Sequence, residues 1–205
     1  MYIKKEMQHH LPYTIWSVAI GLAIVGLLQF IAQVGGVNMS EPAHGLFHIF
    51  HALHALFSAA ATTAMFWKHE RDWLKAVLVG FTGTVGVCTI SDVFLPYIAG
   101  TLLGVKMSLH ICILQHPMLV LPFVFTGILL GLLAQSESHS LFSHSGHILV
   151  SSVASILYLI SFGLNNWIHV LGLIFLYMIV AVVVPCCTSD IVFPLLLVKK
   201  ERMRN

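Results

Sequence analysis

Long apolar runs separated by short polar stretches dominate the hydropathy pattern of this chain. Each run is close to the ~20 residues that a helix needs to cross the hydrocarbon core of a bilayer. The pattern predicts six membrane-spanning helices, over residues 13–34, 43–67, 76–98, 107–134, 147–163 and 167–198. The Ser- and His-rich stretch 135–146 predicts a loop. Kinks or breaks are expected at the prolines of the fourth and sixth runs, Pro117, Pro122, Pro185 and Pro194.

The composition and the distribution of charge support a membrane protein. The chain of 205 residues is 58% hydrophobic and only 9% charged, whereas a soluble domain carries about 25% charged residues. If six spans alternate in direction, nine of the ten Lys and Arg residues lie on one side and only Lys106 on the other. We therefore expect an all-α polytopic membrane protein, a single six-helix transmembrane bundle over 1–205, with both termini in the cytoplasm.

Histidines are concentrated at the start of the second apolar run. On a helix with ~100° between successive residues, His44, His48 and His51 lie within roughly 60° of one another, while His54 lies to one side of that stripe. Neutral imidazole is the commonest side-chain ligand for metals, and ionisable groups inside a membrane mark functional sites. The stripe predicts a metal or cofactor site. The alternative is a set of buried histidines that bond to the backbone and to neighbours.

Two segments of the chain share one motif. The pattern C-x-x-S-D-x-x-x-P occurs at Cys88–Pro96 and again at Cys186–Pro194, 98 positions further on. This spacing fits two half-repeats, 1–100 and 101–205, of three helices each, and an odd number of spans inverts the second half relative to the first. Inverted repeats are common in secondary transporters, whose sites lie where helices are broken. The alternative is a chance likeness between two apolar segments.

Asp92 and Asp190, one in each motif, are the acidic residues that fall inside the predicted spans. A carboxylate at that depth costs about 3 kcal/mol on insertion scales, so it needs a proton, a partner or an ion. The cysteine, aspartate and proline of each motif are four residues apart and share one helix face. Capping of a short helix after a break is the alternative role for the Ser-Asp pairs.

Depth along the helices predicts two groups of ligands. An outer group has His48 and His51 with Asp92 as the tightest site, and an inner group centres on Asp190. Cysteines in apolar runs are expected to be small core residues, and the alternative for the adjacent Cys186 and Cys187 is a role as soft metal ligands or redox groups. The candidate metal ligands are His44, His48, His51, Asp92, His110, His116, His144, His147 and Asp190.

Three classes of function fit these predicted ligands. A transition-metal transporter or permease needs ligands that are accessible from both sides. A membrane metalloenzyme, either a zinc hydrolase or a di-iron oxidoreductase, needs one cluster with an open position. A haem protein needs a histidine from each of two facing helices, for example His51 and His110. The His and carboxylate donors favour Zn, Fe, Mn or Ni. The expected partners are the lipid bilayer and the metal ion, with no nucleic acid and with a homo-oligomer as an open alternative.

Overall fold

A computed structural model of the chain describes residues 2–133, 137–164 and 167–198, without the side chains of 2–11, 13, 14, 137–145, 183, 187 and 191. The described residues form helices and no strand, which confirms the predicted all-α class. The α-helices are α1 (Tyr2–Val34), α2 (Ser40–His69), α3 (Trp73–Thr89), α4 (Leu95–Leu102), α5 (Cys112–Gln115), α6 (Pro117–Leu133), α7 (Glu137–Ser161), α8 (Leu171–Cys187) and α9 (Phe193–Leu197). A 3₁₀-helix, Trp167–Val170, precedes α8.

Several helical segments have the length and composition of membrane spans. Two further apolar helices, Pro117–Leu133 and Gly146–Ser161, are shorter. The four segments that are long and apolar enough to cross a membrane are Ile15–Val34, Ser40–His69, Trp73–Leu102 and Trp167–Leu197.

The outer faces of these helices carry large apolar side chains that are mostly exposed. Trp16 is 70% exposed, Leu102 78% and Met118 88%. Water-soluble monomers rarely expose contiguous apolar surface of this kind. Hydrocarbon is the environment in which such side chains cost nothing, so the surface agrees with the apolar composition.

Several parts of the chain differ from the predicted pattern. The first helix, predicted from residue 13, already begins at Tyr2, and Pro185 lies inside α8 without ending it. The fourth apolar run is not one helix, because α5 ends at Gln115 and α6 begins at Pro117, where the missing N–H of proline is tolerated in a first turn. Pro122 lies inside α6 without ending it. The predicted loop over 135–146 is wrong from Glu137 onwards, where α7 begins. Ser and His are only modestly poorer helix formers than Leu, so a helix propagates through them once its apolar part is packed.

The helices α2 and α7 form the centre of the bundle and run antiparallel. The rings of Phe47 and Tyr158 are 5.3 Å apart, and those of His54 and His147 are 4.5 Å apart. Phe47 precedes His54 along α2, whereas its partner Tyr158 follows His147 along α7, so the two helices run in opposite directions. The remaining long helices pack around this pair.

Glycines let two outer helices approach the central pair closely. A Cβ at Gly127 of α6 would collide with the carbonyl oxygen of Leu56 and would lie 2.8 Å from the Cβ of Ala59, both on α2. A Cβ at Gly21 of α1 would lie 2.9 Å from the Cβ of Ser152 on α7. Small residues at such contacts are the usual means by which helices pack inside membranes.

This packing makes a prediction for glycine substitutions. Gly127→Ala should lower the free energy of unfolding by about 1–3 kcal/mol, since the added methyl group meets backbone that cannot move aside. Gly86→Ala on α3 is the matched control, because nothing lies within 4 Å of its added Cβ, and it should be neutral or stabilising by up to ~1 kcal/mol. Denaturation by SDS in mixed micelles measures both, and equal values for the two variants would refute the close contact.

Candidate metal centre

The two C-x-x-S-D-x-x-x-P segments fold alike. Pro96 lacks the N–H that would bond to the carbonyl of Asp92 four residues earlier, and Pro194 stands in the same relation to Asp190. The helix widens at both places, and such π-helical turns are frequent at functional sites. They join α3 to α4 and α8 to α9 as Ile90–Phe94 and Thr188–Val192.

Asp92 is fully buried and accepts hydrogen bonds through both carboxylate oxygens. Nδ1 of His51 donates to Oδ2 at 3.0 Å, and Nδ1 of His54 donates to the same oxygen at 2.5 Å. The hydroxyls of Ser91 and Ser151 donate to Oδ1 at 3.0 and 2.8 Å. Because a carboxylate only accepts, these bonds fix the proton of each neutral imidazole on Nδ1 and leave the lone pair of Nε2 for a metal.

Asp190 has an equivalent histidine partner on α7. Nδ1 of His147 donates to Oδ2 of Asp190 at 2.6 Å, and both side chains are buried. The hydroxyl of Thr62 on α2 donates to Oδ1 of Asp190 at 3.4 Å and lies 3.2 Å from the hydroxyl of Ser189. The Nδ1 bond again makes Nε2 the metal-binding nitrogen of the neutral ring.

These two Asp-His pairs meet in the middle of the bundle, beside two thiols. The rings of His54 and His147 are 4.5 Å apart. Ligand atoms of His54, His147 and Cys186 all lie within 4.8 Å of one another, and the three residues are buried. The thiol of Cys88 lies 3.7 Å from Nε2 of His54. Nitrogen and sulfur donors are therefore gathered at one buried point.

A second group of histidines lies at the start of α2 and reaches the surface. Nδ1 of His48 donates to the carbonyl of His44 at 2.8 Å, which leaves Nε2 of His48 at 3.1 Å from Nε2 of His110. The ring of His116, which is exposed, is centred 4.9 Å from that of His48. His48, His110 and His116 can hold a metal ion by the spacing of their nitrogens.

His110 is held in this surface group by α7. Its backbone N–H donates to Tyr158 Oη at 3.1 Å, and that hydroxyl donates to the carbonyl of Ser108 at 3.1 Å. The ring of Phe162 stacks on its imidazole at 5.0 Å. Burial, and next the neighbouring His48 and the other histidines, lower the pKa of His110 to about 4. The ring is therefore neutral near pH 7, which is the state that binds metals.

Phe47 contacts both the surface group and the buried groups. Its ring is centred 5.3 Å from that of His48 and stacks on His51 at 5.4 Å. The side chain is fully buried. The two sets of histidines are therefore neighbours along α2 and share one aromatic ring as a contact.

The residues predicted for the outer site fall into two groups. His51 lies on Asp92, but His48 lies with His110 and His116 at the surface. His110 and His116 were both among the predicted ligands. Both reach His48, since His110 precedes α5 and His116 follows it. His44, the remaining residue of the stripe, is exposed, with its ring 4.6 Å from that of His48.

The residues predicted for the inner site do not form a separate cluster among the described side chains. His147 does lie on Asp190, but its ring also packs on that of His54. The side chain of His144 lies outside the described residues.

Two central residues, His54 and Cys88, were left out of the predicted ligands, and Cys186 was named only as an alternative soft ligand. Two signals could have found them. His54 continues the polar face of α2 one turn beyond His51, and each cysteine opens a motif four residues before its aspartate.

Fold and site together define an all-helical protein with segments that can span a membrane and with buried His, Asp and Cys groups that can hold a metal ion. No protein-family model, curated protein or solved structure matches the chain. The function is therefore argued from the geometry of these groups.

The surface group makes a prediction for metal binding. His110→Ala or His116→Ala should remove one of three ligands and weaken binding of Co²⁺ at this group by at least about tenfold. His169→Ala is the matched control, because His169 is exposed in the 3₁₀-helix and belongs to none of the three groups. Equilibrium titration of the purified protein in detergent measures the effect, and unchanged binding in both variants would return these histidines to a packing role.

Proposed function

We propose that this protein moves transition-metal ions across a membrane. The observation that carries the proposal is the succession of donor groups along the central helices, from His48, His110 and His116 at the surface to the buried donors around His54 and His147. Among Zn, Fe, Mn and Ni, the thiols beside the imidazoles favour Zn²⁺ as the cargo, because zinc accepts nitrogen and sulfur ligands together.

Six spans in two inverted halves are the architecture that we propose for this transport. A shared pattern on α2 and α7 supports it. Thr62 donates to Asp190 of the other half, while Ser155 donates to Asp92 of the other half at 3.4 Å. The histidine bonds instead to the aspartate of the same half, His54 to Asp92 and His147 to Asp190. Hydroxyl residues follow the histidine by four and eight positions in both helices, as His54, Ser58 and Thr62 on α2 and as His147, Ser151 and Ser155 on α7.

The packing of the outer helices supports the same architecture. Gly127 of α6 faces Ala59 on α2, and Gly21 of α1 faces Ser152 on α7. Ala59 and Ser152 each follow the histidine of their helix by five positions. Each half therefore lays its first helix on the central helix of the other half. Halves that are interlocked in this way place their shared site at the repeat interface, as in known inverted-repeat transporters.

The geometry favours transport over the two other classes of function. A metallohydrolase keeps one metal position open to water, and the buried group of His54, His147 and Cys186 offers no such position. A hydrolase centre on His48, His110 and His116 at the surface would leave the buried donors without a role. For haem, one nitrogen of His51 and one nitrogen of His110 would both have to point at a single iron. His51 instead donates to Asp92 with Phe47 stacked on its ring, and His110 faces His48.

The architecture makes a prediction for topology. Single cysteines at Gly36 and Gly104 should be labelled from one side of the membrane, and those at Arg71 and Glu137 from the other, because an odd number of spans separates the two sets. The measurement uses an impermeant maleimide on oriented vesicles, in a chain without its native cysteines. Labelling of Gly36→Cys and Glu137→Cys from the same side would contradict six spans and the inverted halves.

The aspartates make a prediction for transport. Asp92→Asn and Asp190→Asn keep size and hydrogen-bonding ability but remove the charge that orients each histidine. Each should weaken metal binding by about 10- to 100-fold and slow Zn²⁺ uptake into proteoliposomes accordingly.

Asp72→Asn is the matched control, because Asp72 caps α3 by accepting from the N–H of Lys75 and asparagine caps equally well. An enzyme with a single site on Asp92 would respond to Asp190→Asn through stability alone. Small and equal effects of Asp92→Asn and Asp190→Asn on binding and on uptake would mean that neither carboxylate serves an ion.

A further inference from the structure

We propose that the buried donors form a single four-ligand site, with Nε2 of His54 and His147 and the thiols of Cys88 and Cys186 around one ion, at the point where the two halves meet. The inference rests on the proposed transport function for the identity of its cargo. It adds the ligand set, and it assigns the aspartates to a different role from that of ligands.

The distances place three of the four donors together and the fourth beside one of them. A tetrahedral zinc ion with bonds of roughly 2.0–2.3 Å holds its ligand atoms about 3.3–3.8 Å apart. The ligand atoms of His54, His147 and Cys186 lie within 4.8 Å of one another, so a contraction of about 1 Å at most brings these three atoms to the separations of a zinc site. The thiol of Cys88 already lies 3.7 Å from Nε2 of His54. It stands outside the group of three, so it has to move toward His147 and Cys186 when the ion binds.

The hydrogen bonds prepare both rings for one ion. Nδ1 of His54 donates to Asp92 and Nδ1 of His147 donates to Asp190. Metal-binding histidines usually donate their other N–H to a carboxylate, which fixes the tautomer and the orientation of the ring. Asp92 and Asp190 are therefore positioning residues. Asp92 already accepts from serine hydroxyls through its other oxygen, which leaves it engaged away from the ion.

Each half contributes one thiol from the same place in its motif. Cys88 and Cys186 occupy the same place in the two motifs, four residues before Asp92 and Asp190. Both thiols are buried, and Cys186 lies 3.8 Å from the hydroxyl of Ser151. A ring and a thiol from each half thus give two nitrogen and two sulfur donors. This set selects Zn²⁺, Co²⁺ or Cd²⁺ over Mn²⁺, Mg²⁺ and Ca²⁺, which prefer oxygen.

The test is the optical spectrum of the purified, reduced protein in detergent during titration with Co²⁺. Thiolate ligands give an ultraviolet sulfur-to-cobalt band. Cys88→Ser and Cys186→Ser should each reduce this band to about half, because one of the two thiolates of the ligand set is lost. Cys112→Ser is the matched control, since Cys112 is a buried thiol outside the described donor groups. His110→Ala, in the surface group, should also leave the band intact.

X-ray absorption of the Zn²⁺-loaded wild type tests the ligand set without any variant that has to fold. Two sulfur neighbours at ~2.3 Å and two nitrogen neighbours at ~2.0 Å are expected. A shell of nitrogen and oxygen alone, or a cobalt band that survives the loss of both cysteines, would overturn the site.

Uptake into proteoliposomes separates this inference from the proposed function. Zn²⁺ uptake that continues at the wild-type rate in the double variant Cys88→Ser, Cys186→Ser would overturn the four-ligand site and leave transport standing. A thiolate spectrum in a wild-type protein that takes up no Zn²⁺, Fe²⁺, Mn²⁺ or Ni²⁺ would overturn transport and leave the site standing.

Discussion

The hydrogen bonds between Asp92 and its two histidines are the interaction on which the rest of the structure depends. A carboxylate buried among apolar helices is tolerated only when donors surround it. Here the donors come from α2, α7 and the π-helical turn after α3, so the carboxylate can be satisfied only when these three elements are assembled. The same bonds select the tautomer of His51 and His54. One electrostatic requirement thus sets both the helix arrangement and the metal-binding nitrogens.

Close packing is the second consequence of that requirement. The serines of α7 are short, so α7 must lie near the π-helical turn for Ser151 and Ser155 to reach Asp92. The outer helices pack as closely, because Gly127 lets α6 approach Ala59 on α2 and Gly21 lets α1 approach Ser152 on α7. The polar core is therefore enclosed by helices that pack on one another through small residues.

The sequence could predict the helices but only part of the site. Apolar length predicted the helices, and Pro117 and Pro194 predicted interruptions that the structure has nearby, because those signals are local. The prediction of a stripe of His44, His48 and His51 assumed ideal helical angles. In the structure, the histidines that are buried are His51 and His54. The contact of His54 with His147 joins residues that are far apart in the chain, and no local pattern encodes it. The importance of the thiols was missed for the same reason, since only that contact places donors from both halves near one another.

Charge explains why a metal site in this position would use thiols as ligands, while the carboxylates accept hydrogen bonds from the histidines. A divalent ion held by neutral donors would add two positive charges to the membrane interior, which is strongly unfavourable. Two thiols that release their protons on binding become thiolates and cancel that charge, so loading leaves the net charge of the site unchanged. The carboxylates of Asp92 and Asp190 meanwhile keep the imidazole N–H groups as their partners whether or not an ion is bound. An ion can then enter and leave without creating an unpaired charge at either stage, which is the condition that a carrier has to meet and a permanent structural site does not.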